Sequence, residues 1–215
     1  MAGSLEELRN IVLNFEVDNA KQVAANAIEG GIDPLEAAKA LTEAIREVGD
    51  KFGCGELFLP DLVCASEVLK QALPVINAEI EKKGEKQKSL GKVVIGTVFG
   101  DIHSIGKGMV STLLFASGLE VIDLGVNVKS QDFLESVKRE KPDILAMSAL
   151  LTTTASEQKN VIEGLKSAGL RDKVKVVVGG SPINQEFSDS IGADGYGATA
   201  PEGVKVVKSL LGIKE

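Results

Sequence analysis

The second half of the sequence alternates short apolar runs, rich in β-branched residues, with segments of helical periodicity. Near-continuous apolar strands are typical of a parallel sheet that is covered on both faces. Right-handed crossovers then predict a doubly wound, flavodoxin- or Rossmann-like α/β fold with five parallel strands in the order 2-1-3-4-5. The predicted strands are 92–98, 120–124, 143–149, 174–178 and 193–197, and the predicted helices are 106–117, 130–140, 155–168, 184–191 and 202–211.

Residues 1–88 carry helical patterns only, which predicts four helices with short connections. Such connections favour an antiparallel four-helix bundle. Ser4, Asp18 and Asp33 are residue types that cap helix N-termini, and each precedes a predicted helix. The polar, charged stretch 82–91 is the best candidate for a linker. The predicted domains are therefore a helical cap at 1–88 and an α/β domain at 92–215.

Composition narrows the classes of function. A hydrophobic fraction of 44% with 26% charged residues predicts a folded globular protein, and the absence of Trp predicts an aliphatic core. The net charge of −7, without a basic patch, argues against a nucleic-acid partner. The sequence shows neither a signal core nor a membrane-spanning run, so we expect a cytoplasmic protein without a membrane partner. Cys54 and Cys64 are expected to be small core or surface thiols.

His103 is the only histidine in the chain, and it lies in the loop after the first predicted strand. Ligands bind at this edge of open α/β sheets. Asp101 stands two residues earlier, so His103 could be a metal ligand whose other ring nitrogen is held by that carboxylate. A simpler interpretation stays open, in which His103 is an ordinary loop residue and Asp101 is the N-cap of the next helix.

The predicted strand order brings two loops together at the switch point between strands 1 and 3. The loop with Asp101 and His103 should therefore lie beside Leu150–Thr154, with threonine hydroxyls close to the imidazole. After strand 4, Gly179-Gly180 can leave a groove open for a flat or elongated ligand group, although a tight turn is the simpler alternative. Residues 123–128, after strand 2, receive no chemical role.

Three motifs occur in one order along the α/β half. The D-x-H-x-x-G pattern at 101–106 resembles the cobalt-ligand loop of cobalamin-dependent methyltransferases and mutases. Ser148-Ala149-Leu150 resembles the S-x-L motif of these proteins, and Gly179-Gly180 resembles their G-G motif. Over nearly its whole length the chain resembles the small corrinoid proteins of methylotrophic and acetogenic methyltransferase systems. It is also similar to the cobalamin-binding module of methionine synthase, including in the helical half at 48–53, 57–63 and 68–72.

The resemblance implies a cobalamin cofactor whose dimethylbenzimidazole tail is displaced from cobalt, with His103 as the lower ligand of the metal. It implies a relay of Asp101 and Thr154 behind this histidine. Phe58, Ala65 and Val68 of the helical half would shield the upper face of the corrin. The implied cofactor-binding residues of the α/β half are Gly100, Asp101, Ile102, His103, Ser104, Ile105, Gly106, Ser148, Leu150, Thr152, Thr154, Gly179, Gly180 and Tyr196.

The chain departs from the family pattern at two positions of this site. Ser104 follows the histidine where an acidic residue is usual, and Thr154 stands where serine is usual in the relay. The first departure implies weaker polarity beside the ligand without loss of binding. The second keeps the hydroxyl and adds a methyl group.

The resemblance also implies a function in one-carbon metabolism: a methyl carrier that passes through methylcobalamin and Co(I) states and is not a complete enzyme alone. Its partners would be a substrate-specific methyltransferase, a second methyltransferase that accepts the methyl group, and a reductive activase. Methanol, methylamines, aryl methyl ethers and betaines stay open as donors. The alternatives are a mutase subunit, which usually lacks the helical half, a cobalamin-dependent sensor, and a flavodoxin-like module without cobalt.

Overall fold

A computed structural model of the protein describes residues 4–83 and 89–213. Contacts divide the chain into two compact units, Met1–Ser89 with Phe115–Gly118 and Leu90–Leu114 with Leu119–Glu215. Residues 84–88 of the predicted linker lie outside the described residues. The linker at 82–91 and the separate roles of 1–88 and 92–215 therefore stay predictions.

The first unit is built from helices that pack in pairs. Helix α1 packs against α3, α2 packs against α4, and α3 packs against α4, which confirms the predicted helical bundle. Its core is aliphatic, and burial of each large aliphatic side chain stabilises the fold by about 1.5–3 kcal/mol. The helices are α1 (Leu5–Leu13), α2 (Ala20–Glu29), α3 (Pro34–Gly53) and α4 (Leu59–Lys82). The largest fully buried side chains of this unit are Leu8, Leu41, Ile45, Leu62, Leu69 and Ile76.

Two of the three predicted N-caps are confirmed. The side chains of Ser4 and Asp33 each accept hydrogen bonds from backbone N–H groups in the first turn of α1 and α3. The prediction for Asp18 is wrong, because α2 follows Asn19, whose side chain makes no capping hydrogen bond. Helix α2 buries four small or β-branched side chains, so packing rather than a cap decides where it begins.

The second unit contains a five-stranded parallel sheet in the order β2-β1-β3-β4-β5, as predicted. Helix α7 begins three residues before its predicted start, and the other boundaries lie within two residues of the predictions. The strands are β1 (Lys92–Thr97), β2 (Glu120–Asp123), β3 (Ile144–Ser148), β4 (Lys175–Gly179) and β5 (Gly195–Gly197). The helices are α5 (Ile105–Ala116), α6 (Ser130–Glu140), α7 (Thr152–Ser167), α8 (Gln185–Ile191) and α9 (Ala200–Leu210), with a short 3-10 helix at Arg171–Lys173.

The register of the sheet gives its two faces different characters. The last residues of β1, β3, β4 and β5 form one row at the carboxyl edge: Thr97, Ser148, Gly179 and Gly197. Because side chains alternate along a strand, the residues two positions earlier face the same side. The other face carries a large apolar core that includes Val94, Leu145, Met147, Val176 and Val178. Open space near the carboxyl edge therefore lies on the first face.

Two surface properties bear on the sequence predictions. Cys54 and Cys64 are both exposed and neither forms a disulfide, in agreement with surface thiols. No helix within residues 4–83 and 89–213 is both long and apolar enough to cross a bilayer.

Candidate functional site

A cavity of about 670 Å³ opens at the carboxyl edge of the sheet. Its walls come from β1, β3, β4 and β5 and from helices α5 and α9, and this volume is typical of cofactor and small-molecule sites. Most of its lining is apolar or consists of glycine. The apolar side chains include Ile95, Met109, Val110, Ala146, Val177 and Val207.

The loop after β1 brings His103 to this cavity with its side chain 48% exposed. Gly100 has a φ of +80°, in the left-handed region that favours glycine, and this allows the chain to turn directly after the strand. Thr97 is fully buried, and its hydroxyl donates a hydrogen bond of 3.0 Å to the carbonyl oxygen of His103. The strand end therefore fixes the backbone at the histidine itself.

Asp101 is fully buried beneath the histidine and joins two loops through its carboxylate. Its Oδ1 accepts hydrogen bonds from the backbone N–H of His103 at 3.0 Å and lies 2.7 Å from Nδ1 of the imidazole. Its Oδ2 accepts hydrogen bonds from the hydroxyl of Thr154 at 2.8 Å and from the N–H groups of Leu150 and Leu151 at 2.7 and 3.3 Å. The switch-point topology is therefore realised as direct contacts between the loops.

The charge state of Asp101 decides how the imidazole is oriented. Burial alone raises the pKa of this carboxyl group, but hydrogen bonds from the backbone N–H groups of His103 and Leu150, and from the side chains of His103 and Thr154, outweigh it and hold the pKa well below its usual range. An ionised carboxylate only accepts hydrogen bonds, so Nδ1 of His103 carries the proton. In the neutral ring the lone pair then lies on Nε2, the nitrogen that remains available to a metal.

This arrangement excludes the simpler interpretation of Asp101. Helix α5 begins at Ile105, whereas the partners of the carboxylate are His103, Leu150, Leu151 and Thr154, all outside α5. Asp101 is therefore not the N-cap of the next helix. Its side chain instead ties the histidine loop to the loop between β3 and α7.

The glycines after β4 and in β5 allow backbone segments to approach each other closely. A Cβ at Gly180 would lie 1.8 Å from the carbonyl oxygen of Ala149, and its φ is +128°. A Cβ at Gly197 would lie 2.4 Å from the Cα of Gly203. Glycine at 180 is thus required by the close approach of two loops, and a role of this glycine in a ligand groove stays a prediction.

Large apolar side chains are exposed at the same edge of the sheet, on the loops after β1, β2 and β3 and at the first residue of α5. Their exposed fractions run from 37% to 76%. Concentrated exposure of this kind marks a surface that binds a ligand or a partner. We call these residues the apolar rim: Phe99, Ile102, Ile105, Val126, Leu150 and Leu151.

The structure brings most of the predicted site residues of the α/β half to the cavity. Gly100 and Asp101 belong to the loop that holds His103, Thr154 lies in the first turn of α7, and Thr152 is exposed at the start of that helix. Tyr196 packs against the core on the opposite face of the sheet. The predicted residues that line the cavity are Ile102, His103, Ser104, Ile105, Gly106, Ser148, Leu150, Gly179 and Gly180.

Two predicted residues belong to the helical unit. Phe58, just before α4, is 71% exposed, whereas Val68, within α4, is fully buried. Ala65 is also fully buried in the same helix. The contribution of these residues to a cofactor site stays a prediction.

The sequence did not reveal the residues that support the histidine loop from the side of β2. Asn127 Oδ1 accepts a hydrogen bond of 2.8 Å from the N–H of Gly100. The side chain of Lys107, only 4% exposed, contacts both carboxylate oxygens of Asp123. Asparagine tolerates the left-handed backbone region, so its position shortly after a strand was the one available signal.

Comparison with known proteins identifies the family of this chain. The B12 binding domain family matches residues 91–205, and a second family of the same description matches residues 4–77. The trimethylamine corrinoid protein of Methanosarcina barkeri is 45% identical over 97% of this chain and 97% of its own length. The chain belongs to the B12-binding corrinoid proteins. The predicted recognition and the predicted cobalamin cofactor are thereby confirmed.

Two further corrinoid proteins extend this similarity. The dimethylamine corrinoid protein of Methanosarcina barkeri is 41% identical over 96% of this chain and 97% of its own length. Among solved structures, the methanol:cobalamin methyltransferase complex MtaBC from Methanosarcina barkeri matches with a TM-score of 0.86. The identity is 30% over 96% of this chain and 79% of that chain.

The site of this corrinoid protein fits its cofactor in shape and chemistry. The apolar rim suits the broad hydrophobic face of a corrin macrocycle. The cavity, with glycines in its wall, has room for a nucleotide tail. His103 offers one nitrogen ligand, which is what a metal needs when a macrocycle supplies its equatorial ligands.

Proposed function

We propose that this corrinoid protein binds cobalamin base-off, with Nε2 of His103 as the lower cobalt ligand. We propose further that it carries a methyl group in the cytoplasm from a substrate-specific methyltransferase to a second methyltransferase, with a reductive activase as an additional partner. The observation that carries the proposal is the hydrogen-bonded chain from Nδ1 of His103 through Asp101 to Thr154 beside the cavity. This chain leaves Nε2 for the metal.

Each residue of the chain has a separate task in this proposal. Bound cobalamin supplies a cobalt centre that accepts and releases a methyl group. Asp101 keeps the proton of His103 on Nδ1 and holds the ring in one orientation, as carboxylates behind ligating histidines commonly do. Thr154 satisfies the second oxygen of Asp101. Ser104 adds no charge beside the ring, so Asp101 is the carboxylate that governs it.

The displaced nucleotide tail would occupy the cavity on the first face of the sheet. Ser148, at the end of β3, lines this cavity and offers a hydroxyl to polar groups of the tail that burial would otherwise leave unsatisfied. Gly179 and Gly180 offer backbone without side chains. Tyr196 packs its ring on the opposite face, so we assign it no side-chain contact with the tail.

Shielding of the methyl group by the helical unit is also part of the proposal. We assign the shielding to Phe58, because its exposed ring is available to a ligand. Ala65 and Val68 are fully buried and contribute to the core of the bundle in any case. The charged stretch 82–88, of which residues 84–88 lie outside the described residues, is the proposed hinge of this movement.

The names of the relatives favour a methylamine as the donor. Relatives that match this chain over nearly its full length are named trimethylamine and dimethylamine corrinoid proteins. Trimethylamine is our first choice because the relative of that name has the higher identity of the two. Methanol is the second choice, from the complex whose structure matches this chain.

Electron paramagnetic resonance tests the ligation directly. The protein is loaded with Co(II) cobalamin, and the wild type is compared with His103→Ala, with Ser104→Ala as a matched control on the same loop. We expect coupling to one axial nitrogen in the wild type and in S104A, and this coupling should change when the protein carries isotope-labelled histidine. His103→Ala should lose the coupling that responds to labelled histidine, since the chain contains no other imidazole.

Two outcomes would contradict the proposed ligation. In one, the axial nitrogen of the wild type is insensitive to labelled histidine, which means that it comes from the tail of the cofactor itself. In the other, H103A keeps the signal of the wild type. A protein that binds no cobalamin at all would contradict the methyl-carrier function as well.

A further inference from the structure

The loop between β2 and α6, residues 124–129, contacts the histidine loop just before the histidine. Asn127 makes two contacts with successive residues of that loop. Its Oδ1 accepts a hydrogen bond of 2.8 Å from the N–H of Gly100, and its own N–H donates one of 2.8 Å to the carbonyl oxygen of Asp101. One residue thus fixes the peptide groups on both sides of the turn after β1.

A second tether holds the other end of the histidine loop. Lys107 lies four residues after His103, and its nearly buried ammonium group contacts both carboxylate oxygens of Asp123 at the end of β2. Asp123 Oδ1 also accepts a hydrogen bond of 2.8 Å from the N–H of Gly125, which fixes the start of the β2–α6 loop. The segment around the cobalt ligand is therefore anchored at both ends to the same neighbouring element.

The backbone of Asn127 is specialised for this contact. Its φ is +56°, a left-handed conformation that is costly for most residues but tolerated by asparagine. The conformation directs the side-chain oxygen of Asn127 to the N–H of Gly100 and its backbone N–H to the carbonyl oxygen of Asp101, the next residue. Glycine could adopt this backbone but has no side-chain acceptor. Most other residues would carry backbone strain at this position.

We infer that Asn127 is a positioning residue for the cobalt ligand, with the Lys107–Asp123 pair as its counterpart at the far end of the loop. Asn127 holds the main chain of Gly100 and Asp101, while the β3–α7 loop holds the carboxylate of Asp101. The carboxylate under His103 is thereby fixed from two sides. This inference rests on the proposed ligation by His103 and adds a residue to its support.

Two substitutions at one position separate the hydrogen bond from the backbone. Asn127→Gly removes the acceptor while adopting the left-handed backbone without strain. Asn127→Asp keeps an acceptor for the N–H of Gly100, and aspartate also tolerates this region. Both variants and the wild type are loaded with Co(II) cobalamin. The measurements are the share of histidine-ligated cobalt by paramagnetic resonance and the cobalamin Kd by absorbance titration.

We expect N127G to raise the cobalamin Kd by about tenfold and to lower the share of histidine-ligated cobalt, as losses behind metal-binding histidines do. N127D should remain within about twofold of the wild type, since it keeps the hydrogen bond. The thermal midpoint of unloaded N127G should stay near that of the wild type. The relief of backbone strain at a positive φ should offset the free energy lost with one hydrogen bond. A variant that simply unfolds would instead lower the thermal midpoint together with histidine ligation.

A second variant, at Lys107, tests the same inference independently in case the substitutions at Asn127 impair folding. Lys107→Met keeps an unbranched chain in the nearly buried position but removes the contact with Asp123. The same direction of change in Kd and in histidine ligation is expected, because the far end of the loop is then untethered. Wild-type ligation in both N127G and K107M would overturn the inference while leaving ligation by His103 intact. If the wild type itself shows no histidine nitrogen, both the proposed ligation and this inference are overturned.

Discussion

Asp101 demonstrates how one buried carboxylate can organise two loops. Burial of an unpaired ion is very costly, so such a group must be surrounded by hydrogen-bond donors. Here the donors are the imidazole of His103, the hydroxyl of Thr154 and three backbone N–H groups. The charge is thus solvated by the protein itself, and the loss of any single donor should be measurable.

Replacement of Thr154 by valine tests this arrangement at nearly constant volume. The hydroxyl of Thr154 donates to Oδ2 of Asp101 in a buried position. Because hydrogen bonds to charged groups contribute about 1.5–3 kcal/mol, T154V should lower the free energy of unfolding by that amount. Urea unfolding followed by circular dichroism measures the change, and Thr154→Ser should restore most of it.

Thr152 provides the matched control for this substitution. It lies in the same helical turn but is exposed, so T152V should change the free energy of unfolding by less than about 0.5 kcal/mol. Equal losses in T152V and T154V would mean that the helix start, and not the contact with Asp101, is what the substitution disturbs.

At the scale of elements, hydrophobic periodicity predicted the strands and most helices to within two residues. The start of α7 was the main exception, because the threonines at 152–154 are typical of a loop and a helix cap, whereas the helix already includes them. Its N-cap is Leu151, a residue type without a capping side chain. Tertiary contacts fix this helix start, since Thr154 is drawn to Asp101 on another loop.

The sequence allowed prediction of those contacts in the candidate site that follow from the strand order alone. The strand order placed Asp101 and His103 beside the β3–α7 loop, and the structure has these contacts. The role of Asn127 could not be predicted, because it depends on a left-handed backbone and on a turn that brings its amide to Gly100. Neither property has a periodic signal in the sequence.

Gly180 carries the largest expected penalty for a single methyl group in the sheet-edge loops. The added Cβ of G180A would lie 1.8 Å from the carbonyl oxygen of Ala149. The backbone φ of Gly180 is +128°, a value that is strained for any residue other than glycine. Overpacking and backbone strain together should lower the free energy of unfolding by about 3 kcal/mol or more. Denaturant titration of the unloaded protein measures this loss.

Gly108 is the control for that substitution. It lies within α5, no atom comes within 4 Å of its added Cβ, and its φ is not positive. G108A should therefore stabilise the protein by about 0.5–1 kcal/mol through higher helix propensity. A G180A protein as stable as the wild type would show that the β3–α7 and β4–α8 loops can separate without cost.

At the scale of the whole molecule, charge is distributed unevenly between the two units. Residues 4–83 hold 15 acidic and 8 basic side chains, whereas residues 89–213 hold 14 and 13. The helical unit therefore carries a net charge of −7, whereas residues 89–213 carry a net charge of −1. The B12 binding domain families match segments of both units, at residues 91–205 and 4–77.

A comparison of methyltransferases tests the donor at this scale. Cobalamin-loaded protein, reduced with a chemical reductant, is mixed with a trimethylamine-, a dimethylamine- or a methanol-specific methyltransferase and its substrate. The change in corrinoid absorbance measures the rate of methylation. We expect this rate to be at least tenfold higher with the trimethylamine-specific enzyme than with either of the other two. This advantage corresponds to about 1.4 kcal/mol in the barrier. If the methanol-specific enzyme gives the highest rate, the proposed methylamine donor is wrong and methanol takes its place.

The apolar rim also has a consequence for the colloidal behaviour of the protein. Before loading, its six large side chains face water on a unit that is almost electrically neutral. Such a surface attracts copies of itself, and only the acidic helical unit supplies repulsion between molecules. Salt shortens the reach of that repulsion to a few ångströms at about 1 M. We therefore expect high salt to promote self-association of the unloaded protein. A cofactor that covers the rim should weaken this effect of salt, so the cobalamin-loaded protein is expected to stay dispersed.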